Sequence, residues 1–244
     1  EVGLINSLQM KGLDEYSGCQ EIITNSADAM ATHVIFYIEK ILLDEFGEKY
    51  PEGKKCILVC DNGTGMSLEG LKNMFEFYKG NHSKVAKKGK CGIGSQLSLS
   101  YLSKYSKTSI TLSKTKHDST IYVAIANWED IFKEGKITNM IKFRTATPQE
   151  IDIFNQHVGE NGTIHIIEED QLLVEFLKKQ FYNDEYTDIP LRHNIPRFKR
   201  LDHMIQYPHI KISLIYNNFK PNHISTLTPY YFDNVTDRIN YRDR

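Results

Sequence analysis

Cys56-Ile57-Leu58-Val59-Cys60 runs directly into Asp61-Asn62-Gly63-Thr64-Gly65-Met66. The five apolar residues read as a short buried strand, and the Asp-Asn-Gly-Thr-Gly that ends it is a loop by any turn rule. A carboxylate at the mouth of a strand can accept a hydrogen bond from an exocyclic amine. Gly63 and Gly65 allow the backbone to come close to a flat ring, and Met66 offers that ring a polarizable contact. An ordinary tight turn uses the same residues, because Asp-Asn-Gly is also a turn sequence.

Working outward, two more segments carry chemistry. Upstream lies Glu21-Ile22-Ile23-Thr24-Asn25-Ser26-Ala27-Asp28-Ala29. On a helix Glu21, Asn25 and Asp28 occupy i, i+4 and i+7, a single stripe. A carboxylate and an amide one turn apart can orient a water and a hard cation together. Mg²⁺ prefers oxygen ligands and keeps several waters, so one amide oxygen plus phosphates is a reasonable share of its shell. The solvated side of an amphipathic helix has the same pattern. Downstream lies Gly89-Lys90-Cys91-Gly92-Ile93-Gly94-Ser95. A glycine loop that opens a helix sets backbone N–H groups and a helix N-terminus against phosphate oxygens. The spacing is neither the Rossmann fingerprint nor a P-loop, and a purely structural glycine loop fits it too.

The rest of the chain is read more coarsely. Residues 1–46 look largely helical, interrupted by the β-rich run Val34–Ile38. Residues 42–55, with Pro51 and Gly53, read as a turn or hairpin loop. Ser67 can cap a helix from Leu68 to about Phe77. A polar stretch, 79–94, precedes a helix over 95–104. Strand-like runs follow at Thr108–Leu112, Thr120–Ala126, Ile137–Arg144 and Gly162–Ile167, then a helix over Gln171–Phe181, a strand over Ile210–Tyr216 and a turn at Asn217-Asn218. Without a regular βαβ repeat, this order predicts a two-layer α/β sandwich. Its sheet is expected to be mixed and mostly antiparallel, with the helices on one face. Composition changes after Glu169, so 1–169 is read as the main domain. Residues 170–244 are read as its extension or the start of a following region.

The chain has 244 residues, 30 basic and 31 acidic, so global charge selects no partner. With 40% hydrophobic and 25% charged residues it is no disordered polymer. Four cysteines, Cys19, Cys56, Cys60 and Cys91, are too few for a disulfide scaffold and lack zinc-site spacing; they read as reduced thiols of an intracellular protein. The nine histidines form no metal-binding pair of the H-x-x-x-H kind. No run approaches the roughly 18 apolar residues of a membrane span, and no signal peptide is expected. The opening at Glu1 rather than Met reads as the start of an excised piece.

In their order and spacing the three segments resemble the GHKL ATPases, which share the Bergerat nucleotide fold. The closest likeness is to the ninety-kilodalton heat-shock chaperone and MORC-like branches. Glu21–Ala29 looks like the family's N-box, Asp61–Gly65 its D-x-G-x-G motif, Gly89–Gly94 its glycine lid hinge, and Gly162-Thr163 its fourth element. The resemblance implies that Glu21 is the general base and that Asn25 holds Mg²⁺ and phosphate oxygens. Asp28 would support the base pocket. Asp61, helped by Thr163, would receive the adenine amino group over a floor of Gly63, Gly65 and Met66. Gly89, Gly92, Ile93, Gly94 and Ser95 would wrap the phosphates.

Between Lys79 and Lys116 there are nine lysines and no acidic residue. The run suits a triphosphate, a polyanion such as DNA, or plain solvent; Lys84 in Ser83-Lys84 loosely resembles a lid element of these branches.

The implied activity is Mg²⁺-dependent binding and hydrolysis of ATP. It would drive lid closure and ATP-gated homodimerisation, as the N-terminal motor of a larger cytoplasmic or nuclear protein. DNA or a protein client would be reached through other domains, and no membrane is involved. The alternatives are a nucleotide-sensing module with negligible turnover and a histidine-kinase-type phosphotransfer domain. The glutamate four residues before Asn25 favours hydrolysis.

Overall fold

The computed structural model describes residues 14–43, 52–76, 94–104, 107–135, 137, 140–181, 210–216 and 224–227, together with Gly3. Its elements are α1 (Glu15–Asp28), β1 (His33–Ile41), β2 (Lys54–Asp61), α2 (Leu68–Phe75), α3 (Gly94–Leu102), β3 (Thr108–Lys114), β4 (Tyr122–Asn127), α4 (Trp128–Glu134), β5 (Lys142–Thr145), α5 (Pro148–His157), β6 (Gly162–Glu168), α6 (Gln171–Phe181), β7 (Lys211–Tyr216) and β8 (Ile224–Leu227).

The strands form one sheet in the order β5-β4-β3-β6-β2-β1-β7-β8. Each neighbouring pair is antiparallel except β1–β7, which is parallel. The sheet is therefore mixed and mostly antiparallel, as expected, and its strands beyond residue 169 are β7 and β8.

The apolar run in β2 has a two-sided explanation. Ile57 and Val59 join a core under the helices, with Ile22 and Ile23 of α1, Leu71 of α2, Leu99 of α3, Trp128 of α4 and Leu177 of α6. Cys56, Leu58 and Cys60 point the other way, into a second core with Phe154 of α5. A strand covered on both faces needs no polar alternation. The expectation of helices on one face thus holds for α1 to α4 and α6 and needs correction for α5. Nothing in the spacing of β2 shows which neighbour fills its second face.

Local signals explain the helix limits. The Asp14 side chain accepts from the Ser17 backbone N–H at 2.8 Å and caps α1. The buried residues Gly18, Cys19, Ile22, Ile23, Ser26 and Ala27 recur at helical period along it. Ser67 caps α2 as anticipated, accepting from the Gly70 N–H at 3.2 Å. Within residues 14–43, the described part of the stretch expected to be largely helical, α1 ends at Asp28 and β1 occupies nine residues.

The predicted strand over Ile137–Arg144 shrinks to Lys142–Thr145, because Met140 turns back to bond the Ile137 carbonyl at 3.0 Å. Two helices not foreseen, α4 and α5, occupy stretches between the expected strands, to which the sequence pattern assigns no element. The expected turn at Asn217-Asn218 lies outside the described residues.

Candidate functional site

The site grows from the junction of α1 with the end of β2. The Ser26 hydroxyl donates to Asp61 Oδ2 at 3.0 Å, and the Gly63 N–H donates to Oδ1 at 2.8 Å. The backbone N–H of Thr163 adds a third donor. Burial nevertheless outweighs these bonds and raises the Asp61 pKa above its ordinary value. A carboxylate has about four lone-pair positions, so Asp61 keeps capacity for one more donor.

The loop after Asp61 is clamped from several sides. The Thr64 N–H donates to the Ala29 carbonyl at 2.8 Å, at the end of α1. Asn161 donates its side-chain amide to the Gly63 carbonyl. Asn62 accepts from the Thr32 and His33 N–H groups at 2.9 and 3.0 Å and donates to the Thr32 hydroxyl at 2.8 Å, tying the loop to the start of β1. The Met66 N–H donates to Ser113 Oγ at 2.8 Å. Gly65 sits at φ +65 with its α-carbon against the Lys114 carbonyl, so any Cβ there would collide with backbone. Asp61 on β2 stands opposite Thr163 on β6, and Thr163 stands opposite Ser113 on β3.

The second half of the site lies one and a half turns back along α1. α3 packs beside α1, close enough that a Cβ on Gly18 would touch the Leu102 side chain at 3.0 Å. At the N-terminus of α3, Gly94 lies against the Glu21 carboxylate, and a Cβ on Gly94 would overlap it. Asn25 donates its amide to Ser95 Oγ at 3.1 Å, which leaves the amide oxygen, a hard donor of the kind Mg²⁺ takes. Burial first, and the Asp28 charge second, raise the Glu21 pKa. Glu21 and Ser26 are five residues apart, about 7.5 Å along the axis. One helix thus carries the contact to Asp61 and the contact to the start of α3.

Glu21, Asn25, Asp28, Asp61, Gly63, Gly65, Met66, Gly94, Ser95 and Thr163 all fall along these two linked clusters. Lys84, Gly89, Gly92 and Ile93 lie outside the described residues. The described part of the lysine run divides. Lys104 pairs with Glu15 at 3.1 Å and Lys107 with Glu129 at 2.7 Å. Both line a cavity of about 360 Å³ with Trp128 and Phe132, at the opposite end of α3 from Gly94. Lys114 is the last residue of β3, and Lys116 lies just past it.

Sequence reasoning had assigned no role to Ser26, Asn62, Ser113 or Asn161. Ser26 lies inside the recognised Asn-Ser-Ala-Asp-Ala string, so its position was readable. Ser113 and Asn161 are distant in sequence, and only the strand register brings them in. Of the described histidines, His165 Nδ1 meets the Thr111 hydroxyl at 2.9 Å and His33 Nε2 meets Ser213 Oγ at 2.7 Å. No group of three His, Cys, Asp or Glu suited to a metal occurs among the described residues.

No curated protein matches the chain. Residues 17–160 match a protein family described as histidine kinase-, DNA gyrase B- and HSP90-like ATPase. That span covers more than half of the chain and takes in most of α1 and all of β2, α3 and β3, while Asn161, and Thr163 of β6, lie just past its end. The chain therefore belongs to this family, and its sandwich is a GHKL-type, nucleotide-binding domain.

Proposed function

We propose that the domain binds ATP with Mg²⁺ and hydrolyses it. The observation that carries the reading is the sharing of α1 between Asp61, bonded by Ser26, and Glu21, packed against Gly94. Asp61 receives the exocyclic amine of adenine, and the glycines and Met66 form the floor beneath the ring. Asn25, whose amide oxygen is a hard donor, and the phosphate oxygens would hold Mg²⁺. The bound cation would supply charge neutralisation on the phosphates. Glu21 takes a proton from a water as the water oxygen attacks the γ-phosphorus and the bond to the ADP oxygen breaks. A glutamate whose pKa is raised is a better match to this task near neutral pH.

The wider cycle is also part of the proposal. The 79–94 segment, with Lys84 and the remaining loop glycines, would fold over the triphosphate while two copies associate, and hydrolysis would separate them. ATP drives such a change only by binding the closed state more tightly. Moving the balance from 1:99 to 99:1 takes about 5.5 kcal/mol of that difference. The likeness to the chaperone and MORC branches belongs to this proposal, as does an intracellular setting. Cys19, Cys56 and Cys60, free and buried, fit that setting. Among the described residues no helix is long and apolar enough to cross a membrane.

Glu21→Ala should keep ATP affinity and cut phosphate release by roughly 10²–10⁴-fold. Turnover at the wild-type rate would remove Glu21 from the base role. Wild-type protein that binds ATP yet releases no phosphate would favour the nucleotide-sensing alternative. Transfer of the γ-phosphate to a histidine of a partner would favour the kinase alternative.

A further inference from the structure

Three side chains on adjacent strands share one row. Asp61 of β2, Thr163 of β6 and Ser113 of β3 face one another in register, and directly opposed residues project to the same side of a sheet. All three are buried, at 7%, 6% and 0% exposure. Asp61 and Thr163 are assigned to the adenine edge, whereas Ser113 lies one strand further away.

Ser113 Oγ has three polar neighbours. The Met66 N–H reaches it at 2.8 Å, the Gly162 carbonyl lies at 2.9 Å and Thr163 Oγ1 at 3.0 Å. A serine hydroxyl owns one proton and two acceptor positions. The carbonyl of Gly162 has no proton, so the serine proton goes there. Met66 can only donate. The contact with Thr163 is then a hydrogen bond only if the threonine donates. Both lone pairs of Ser113 are filled, and its proton is used.

We infer that Ser113 is a positioning residue that fixes the polarity of the Thr163 hydroxyl, and through it the preference of the pocket for a 6-amino over a 6-oxo purine. This rests on the reading of the site as an adenine pocket. With its proton held by Ser113, Thr163 presents only acceptor lone pairs elsewhere. Asp61 and Thr163 together then form an acceptor pair. A 6-amino group brings two N–H donors to such a pair. A 6-oxo group would set its oxygen against a carboxylate and an acceptor hydroxyl, leaving buried acceptors without donors. Through Met66, Ser113 also holds the loop that forms the floor of the pocket, so both effects pass through one oxygen.

The test is calorimetry with ATP and with inosine triphosphate, which differs in having the 6-oxo group. It compares wild-type protein, Ser113→Ala, Thr163→Val and the double variant. Ser113→Ala frees the threonine proton to turn outward, so the ATP-to-inosine-triphosphate affinity ratio should fall about 10-fold. In the Thr163→Val background, Ser113→Ala should leave the ratio unchanged. Should Ser113→Ala fail to fold, Ser113→Cys, which keeps the volume with a weak donor and acceptor, takes its place with the same expectation. A folded variant with the wild-type ratio overturns the inference and leaves the nucleotide site standing. An equal change with and without Thr163 also overturns it. If wild-type protein binds neither nucleotide, the reading of the site fails and the role of Ser113 fails with it.

Discussion

Asp61 shows how a single residue meets opposing demands. Its carboxylate accepts from the Ser26 hydroxyl and the Gly63 N–H, yet burial still raises its pKa. The folded form therefore holds the proton to a higher pH than the unfolded chain does. Between the ordinary aspartate value of 3.8 and the raised one, stability falls as pH rises, because ionisation inside the fold is disfavoured. An incoming amine relieves that cost, since it gives the buried charge another donor. Asp61→Asn retains the shape but turns an acceptor partly into a donor. Its ATP affinity should drop at least about 100-fold by calorimetry, and an unchanged affinity would remove Asp61 from the pocket. Glu21 has the same sign of shift, so the acid limb of hydrolysis should lie above that of an ordinary glutamate.

At the scale of elements, the end of α1 is one of two strained places among the described residues, the other being Lys107 at φ +66 before β3. Met30 adopts φ +61 and is 77% exposed, so neither packing nor burial compensates a left-handed backbone in a residue with a Cβ. Met30→Gly should raise stability by about 1 kcal/mol in urea unfolding; a lower midpoint would show that this backbone is not strained. The elements also show what could be read in advance. The strand Cys56–Cys60, the Ser67 cap and the Gln171–Phe181 helix carry their signals within a few residues, and each appears where expected.

The helix α5 carried an equally local signal that went unread. Thr147 and Glu150 form a reciprocal capping box with Pro148 in the first turn. Glu150, fully buried, also takes a two-pronged bond from Arg144 at 2.6 and 3.0 Å. What no window of sequence contains is register. The row Asp61–Thr163–Ser113 spans three strands that are dozens of residues apart, so the carboxylate was legible and its serine neighbour was not.

The molecule as a whole responds to acid through groups far from one another. His165 is buried beside Thr111, and burial lowers its pKa to about 4. Below about 6.5 the unfolded chain gains a proton that the folded histidine refuses. Stability from this residue is thus complete above 6.5 and is lost as pH falls toward 4. Asp61 and Glu21, with raised values, act in the opposite sense, so the comparison must isolate the histidine. Replacing it by asparagine, His165→Asn, should shrink the difference between urea midpoints at pH 7.5 and pH 5. An identical difference in both proteins would show that His165 does not govern the acid response.

The parallel joint between β1 and β7 decides how the chain can be shortened. β1 carries Val34, Phe36 and Ile38 in the core and lies between β2 and β7. A fragment trimmed at residue 169 would retain every recognised motif, yet it would leave the outer side of β1 as a raw apolar margin. Such margins recruit foreign strands. Anyone producing the nucleotide-binding portion by itself should place the cut beyond Leu227, since β8 covers β7 in the same way, even though the motifs finish some sixty residues earlier.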